Sequence, residues 1–142
     1  MDYGPMLADH VDVSADVSIA CTELDTEVAA GTFGVVVVDQ DNRVIGFEEK
    51  PTHPTEIPGK PGRVLVSMGN YVFNTDFLYK QLIQDYDDAG SSHDFGKDIL
   101  PRIVDQHRVS AYLFAEPDAL VDSSESDAQE PCQPYWLSLI HI

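Results

Sequence analysis

Apolar positions recur along this chain in two periods, and the switches between them mark out its elements. Met6, Leu7, His10 and Val11 fall at helical spacing with Asp9 and Asp12 among them, and Pro5 suits a first turn, so a helix is predicted over about residues 4–14. Val17, Ile19 and Cys21 then alternate with Ser18, Ala20 and Thr22, the two-residue period of a strand. Residues 26–30 read as a short helical turn ending at Gly31. From Phe33 to Val38 the chain is β-branched and apolar on both faces, a buried strand. The turn cluster Asp39-Gln40-Asp41-Asn42 follows, and Val44, Ile45 and Phe47 resume an extended run. Together these predict a β-hairpin of about 33–39 and 43–49.

Residues 51–62 hold four prolines and two glycines, so no regular element runs through them, and a long surface loop is expected. Residues 64–73 form a further strand broken by Gly69. Asn74 or Thr75 then caps a helix carrying Phe77, Leu78, Leu82 and Ile83. Residues 85–92 are polar and read as loop. Ile99, Leu100, Ile103 and Val104 fit a second helix that starts or kinks at Leu100, because Pro101 disfavours helical geometry before it. Residues 109–114 are a last strand. Residues 116–130 carry six acids and no base, with little to bury, and a mobile loop is expected there. Helices alternate with strands and one hairpin is inserted, so the class is α/β.

Composition narrows the function. At 142 residues with 43% apolar content the chain suits one domain or the larger part of one. Eight Lys and Arg stand against 25 Asp and Glu, a formal net charge of −17. A nucleic-acid partner needs clustered basic residues, and an anionic membrane repels such a chain, so neither is expected. No apolar run spans a bilayer, and the first ten residues lack a signal-peptide pattern. Cys21 and Cys132 are far apart, which fits free thiols and a cytoplasmic setting. A phosphate ligand would be repelled by the overall field, so a metal ion or a few well-placed cations must overcome that repulsion locally.

Four constellations carry candidate chemistry. Glu49-Lys50-Pro51 closes a strand and opens the Pro-rich loop, and strand ends are where α/β folds place ligands. Lys50, one of four lysines, is a point charge for phosphate or else the partner of Glu48 or Glu49. Ser67-Met68-Gly69 sets a hydroxyl and a glycine inside an apolar strand, which marks a bulge, the approach of a ligand, or a packing gap. In the run 91–98, Asp94 caps a helix or accepts hydrogen bonds from sugar hydroxyls, with Phe95 beside it; no nucleophile is spaced to pair with His93. Trp136, in Pro134-Tyr135-Trp136, is a core anchor or a stacking surface for carbohydrate.

Taken in order, MDYGPML with His10, Phe33-Gly34-Val35, Glu49-Lys50-Pro51 with its Pro-rich loop, SMGNYVF at 67–73, SSHDFGKDILPR at 91–102 and Pro134-Tyr135-Trp136 resemble the glucose-1-phosphate adenylyltransferases of the sugar-phosphate nucleotidyltransferase superfamily. The resemblance covers residues 1–136. It implies the sugar-binding half of a Rossmann-like nucleotidyltransferase domain. It also implies formation of ADP-glucose and pyrophosphate from ATP and glucose 1-phosphate with Mg²⁺, in glycogen or starch synthesis, by a full-length homotetramer. By the same resemblance Lys50 would hold the sugar phosphate and Glu49 and Ser67 would contact the glucose. Gly34 would bring backbone close to the sugar, and Asp94, Phe95 and Trp136 would line the rest of the pocket.

The family's Gly-rich nucleotide loop, its Gly-Asp-His motif, its later metal-binding Asp and its C-terminal β-helix have no counterpart here. The Mg²⁺ ligands are therefore expected outside this chain, residues 137–142 are expected to be an unrelated tail, and the chain alone is expected to be inactive. A different sugar or base, or a non-catalytic acidic module binding a sugar phosphate or a partner, are the alternative readings.

Overall fold

The computed structural model describes residues 2–114 of the 142. It is a five-stranded mixed sheet with helices on both faces. The elements run α1 (Gly4–Asp12), β1 (Val17–Asp25), α2 (Thr26–Ala29), β2 (Val35–Val38), β3 (Val44–Glu48), β4 (Arg63–Phe73), α3 (Thr75–Tyr86), a π-helical turn (Phe95–Ile99), α4 (Leu100–Gln106) and β5 (Val109–Leu113). The strand order is β3-β2-β4-β1-β5. Only β1 and β5 pair in parallel, which the crossover through α3 and α4 makes possible. The α/β class and the inserted hairpin agree with the sequence pattern. Residues 116–130, Trp136 and residues 137–142 lie outside the described residues.

Alternation along β1 divides the core. Val17, Ile19 and Cys21 point into a cluster with Ile99, Leu100, Ile103 and Val104 of the π-helical turn and α4. Ala20 points to the other face, where Met6 of α1 and Ala29 of α2 pack with Val64 and Val66. Residues 17–22 are therefore buried without exception, and β1 is the central strand. Cys21 is a free thiol whose pKa burial pushes far up, so it packs as a small apolar group. The hairpin belongs to the first cluster through Val36, Val38 and Val44. It pairs with β4 only at Val35↔Val66, and its tip reaches β5, where Asn42 O accepts from Ala111 N–H.

Three expectations are corrected. Gly69 does not break β4. Ile19 pairs with Tyr71 and Cys21 with Ser67, so three residues of β4 lie opposite Ala20, and the strand runs on through a bulge with Gly69 at φ 76°. The stretch from residue 85 is not all loop, because α3 continues through Tyr86. Its inward side carries Phe77, packed on the first cluster, together with buried Gln81 and Asp85, while Tyr79, Leu82, Ile83 and Tyr86 are exposed.

Asn74 does precede α3, but its side chain makes no capping bond. Its Nδ2 donates to Ala15 O at 3.1 Å and its Oδ1 lies 3.2 Å from His10 Nε2. Because Nδ2 of Asn74 is the amide donor, His10 Nε2–H donates to Asn74 Oδ1, and Nδ1 lies 2.8 Å from the Ser18 hydroxyl. The buried His10 thus joins α1, β1 and the start of α3.

This network yields a test that separates it from helix capping. Asp is as good an N-cap as Asn, but it cannot donate to Ala15 O. Asn74→Asp is expected to lower the free energy of unfolding by about 1–2 kcal/mol in urea denaturation at neutral pH; unchanged or raised stability would mean that capping is what matters at this position.

Candidate functional site

A cleft of about 490 Å³ opens where four separated segments meet. The start of β2 brings Gly34, and the end of β3 brings Glu49 and Lys50. The β4 bulge brings Ser67 and Gly69, and the π-helical turn brings Asp94, Phe95 and Gly96. Six of the seven candidate residues read from the sequence, Gly34, Glu49, Lys50, Ser67, Asp94 and Phe95, line this one cleft. Trp136 lies outside the described residues.

Two glycines let the walls close. A Cβ at Gly34 would stand 2.7 Å from Phe47 Cζ, so the bare backbone makes room for that ring. A Cβ at Gly96 would stand 2.5 Å from Glu49 Oε2, so a side chain at position 96 would displace the Glu49 carboxylate from where it now lies against the π-helical turn. Ser67 N–H donates to Gly34 O at 2.9 Å, which holds the floor together.

The bulge turns polar atoms toward the opening. Ser67 Oγ accepts from Gly69 N–H at 3.2 Å and lies 3.3 Å from Tyr71 Oη. Tyr71 stacks on Phe95 at 5.9 Å and 19°, and Phe73 meets Phe95 edge-on, forming an aromatic wall. Burial raises the Tyr71 phenol above its ordinary value, against a lowering by the Ser67 bond, so it is a neutral donor at physiological pH. Sequence reasoning did not single out Tyr71, Phe47 or Gly96; the signal for Tyr71 was its place four residues after Ser67, across the bulge.

Lys50 and Glu49 have no hydrogen bond or ion pair among the described residues. Glu48 is engaged elsewhere, accepting from Thr55 N–H at 3.1 Å and Thr55 Oγ1 at 2.7 Å, so Lys50 is not its partner. Lys50 sits at φ 45°, a left-handed conformation at the entrance to the Pro-rich loop. Asp94 does cap: its Oδ1 accepts from Lys97 N–H at 2.8 Å. It lines the cleft as well. Asp98 closes the same turn from the other side, accepting from Ser92 N–H and Asp94 N–H, each at 3.1 Å. Among the described residues no group of three His, Cys, Asp or Glu side chains gathers to hold a metal.

The nucleotidyl transferase family matches residues 1–137. The chain belongs to this family. It is 55% identical over 118 residues to the glucose-1-phosphate adenylyltransferase of Saccharophagus degradans, covering 83% of this chain and 28% of that relative. It is 53% identical over 116 residues to that of Teredinibacter turnerae, with 82% and 28% covered. It is 54% identical over 116 residues to that of Nitrosospira multiformis, with 82% and 27% covered. This nucleotidyl transferase chain thus spans about 28% of the length of the curated relatives it matches. Among the described residues no helix is long and apolar enough to cross a membrane.

The turn that carries Asp94 has a defined response to acid. Hydrogen bonds from Ser92, then from Asp94 N–H, lower the Asp98 pKa below its ordinary 3.8. Bonds from Ser91, then His93, lower that of Asp85. A depressed carboxylate contributes stability that is complete above its unfolded pKa and lost as pH falls through the folded value. The amide signals of Ser92 and Asp94, which donate to the Asp98 carboxylate, are therefore expected to show an acid step centred below the ordinary carboxylate value. A carboxylate step centred at or above the ordinary 3.8 would show that these ties are not what holds the turn.

Proposed function

We propose that this cleft binds glucose 1-phosphate and that the chain forms the sugar-phosphate side of an adenylyltransferase making ADP-glucose from ATP. The observation that carries the reading is the convergence of Gly34, Glu49, Lys50, Ser67, Asp94 and Phe95, from four segments of chain, on one opening. Polar atoms there suit sugar hydroxyls, the wall of Tyr71 and Phe95 suits a pyranose face, and Lys50 is a cation with no competing partner among the described residues. Relatives named glucose-1-phosphate adenylyltransferase support the same substrate.

In this reading a phosphate oxygen of the sugar attacks the α-phosphorus of ATP in line. A P–O bond forms to that oxygen, the bond to the β-phosphate oxygen breaks, and pyrophosphate leaves. The residues described here orient the nucleophile and reduce its repulsion from an acidic protein. Lys50 draws the phosphate into the cleft, while Glu49 and Asp94 accept from the sugar hydroxyls. Mg²⁺, when bound, supplies charge neutralisation at the triphosphate; no step is assigned here to residues of this chain acting through it.

Binding to the 142-residue chain tests the reading. Glucose 1-phosphate is expected to shift the amide signals of Ser67, Gly69 and Phe95, ADP-glucose to compete, and glucose alone to bind far more weakly. Charge-assisted contacts are worth about 1.5–3 kcal/mol, and the exposed setting of Lys50 places it at the lower end, so Lys50→Ala is expected to weaken binding about tenfold. A ligand that leaves the cleft signals unmoved, or an affinity indifferent to Lys50→Ala, overturns the proposal.

A further inference from the structure

We infer that Asp85 is a positioning residue for the sugar-phosphate cleft: from the last turn of α3 its buried carboxylate ties down residues 91–93 and so sets where Asp94 and Phe95 stand. The inference rests on the reading of the cleft given above.

Asp85 does not line the cleft, yet it is 3% exposed on a helix that leaves four large apolar side chains in solvent. Burying a carboxylate is unfavourable unless it is fully partnered, and an amphipathic helix ordinarily turns its apolar face inward. The burial of Asp85 on α3 therefore has to be offset by what it binds. Its Oδ1 accepts from Ser91 Oγ at 2.7 Å and its Oδ2 from His93 Nδ1–H at 2.8 Å, with Arg102 Nη2 of α4 at 3.8 Å. Ser91 Oγ accepts in turn from His93 N–H at 3.0 Å. His93 and Arg102 are the charged or titratable groups that face Asp85, and the bonds from Ser91 and His93 favour its ionised form.

These ties converge on an awkward point of backbone. His93 has φ 61°, a left-handed conformation that a non-glycine residue keeps only when its surroundings hold it there. The next residue is Asp94, extended at φ −96° and ψ 131°, and the π-helical turn begins with Phe95 against Tyr71. Any relaxation at His93 rotates the first residues of that turn, so the anchor of His93 determines how Asp94 and the Phe95 ring meet a sugar. A phosphate held by Lys50 alone does not depend on it.

The test uses the 142-residue chain in three forms: unaltered, Asp85→Asn and His93→Asn. Asparagine at 93 tolerates positive φ, so it removes the imidazole bond while sparing the backbone. Residue-resolved amide exchange and titrations with glucose 1-phosphate and with inorganic phosphate are read in each form. Asp85→Asn is expected to speed exchange at the amides of residues 93–97 about tenfold, with those of Ile19 and Val66 unchanged. It is expected to weaken glucose 1-phosphate by about three- to tenfold and inorganic phosphate by less than about twofold. His93→Asn is expected to act in the same direction and less strongly, and it carries the test alone if Asp85→Asn also loosens the sheet. Unaltered loop exchange, or discrimination between the two ligands kept by both variants, overturns the assignment of Asp85 and leaves the cleft reading intact. An unaltered chain that binds both ligands alike overturns the cleft reading itself, and with it the sugar-specific part of this inference.

Discussion

Two surplus residues in β4 determine the character of the cleft. Between Ile19 and Cys21 the central strand advances by two positions, while β4 retreats by four, from Tyr71 to Ser67. A regular ladder would put Ser67 and Tyr71 on one face at ordinary spacing, flat against the core. The bulge instead lifts the strand at Gly69, brings the Ser67 hydroxyl within 3.3 Å of the Tyr71 phenol, and leaves both at the lip of the opening. The distortion is sustainable because β1 is buried on both faces and paired on both sides, so the ladder is strong above and below the defect.

Around that defect the walls are set by absence as much as by contact. Gly34 admits the Phe47 ring, and Gly96 admits the Glu49 carboxylate, so the ends of β2 and β3 and the π-helical turn reach one another. The extra residue per turn of the π-helical segment has a matching cause in the hydrogen bonds: Asp94 O accepts from Ile99 N–H at 3.2 Å as well as from Asp98 N–H at 2.9 Å. Pro101, two residues further on, is accommodated in the first turn of α4, where no amide proton is missed. The aromatic wall and the acidic lip thus follow from local backbone chemistry, and the overall charge of −17 leaves Lys50 as the cation that addresses the opening.

Much of this was legible in the residues. The period of two in β1, the valine run of β2, the turn cluster at 39–42 and the glycine inside β4 each carried a local physical meaning that the fold kept. What could not be read were long-range partners. Nothing near Asn74 in the chain announces that its side chain turns away from α3 toward Ala15 and His10. The polarity of residues 85–92 suggested solvent, because a buried aspartate is recognisable only once Ser91, His93 and Arg102 are seen around it. Tyr71 was hidden for a related reason: in an unbulged strand it would have been one more core aromatic. The six candidate residues within the described chain were found by motif, and it took the fold to show that they share one opening.

The left-handed backbone at Lys50 narrows the routes by which this position can change over evolutionary time. Glycine and asparagine would relieve the dihedral but discard the charge. Arginine would keep the charge but exchange a compact ammonium for a planar fork with different hydrogen-bond geometry. Valine, isoleucine and threonine fail on both counts, since branching at Cβ is least tolerated at positive φ. A codon for lysine reaches those for asparagine and arginine by single-base changes, so two of the partial solutions are accessible, but so is threonine, which is not one. With Lys50 holding the sugar phosphate as proposed, drift at position 50 requires a compensating change elsewhere, either a new cation near the opening or a rebuilt entrance to the proline-rich loop.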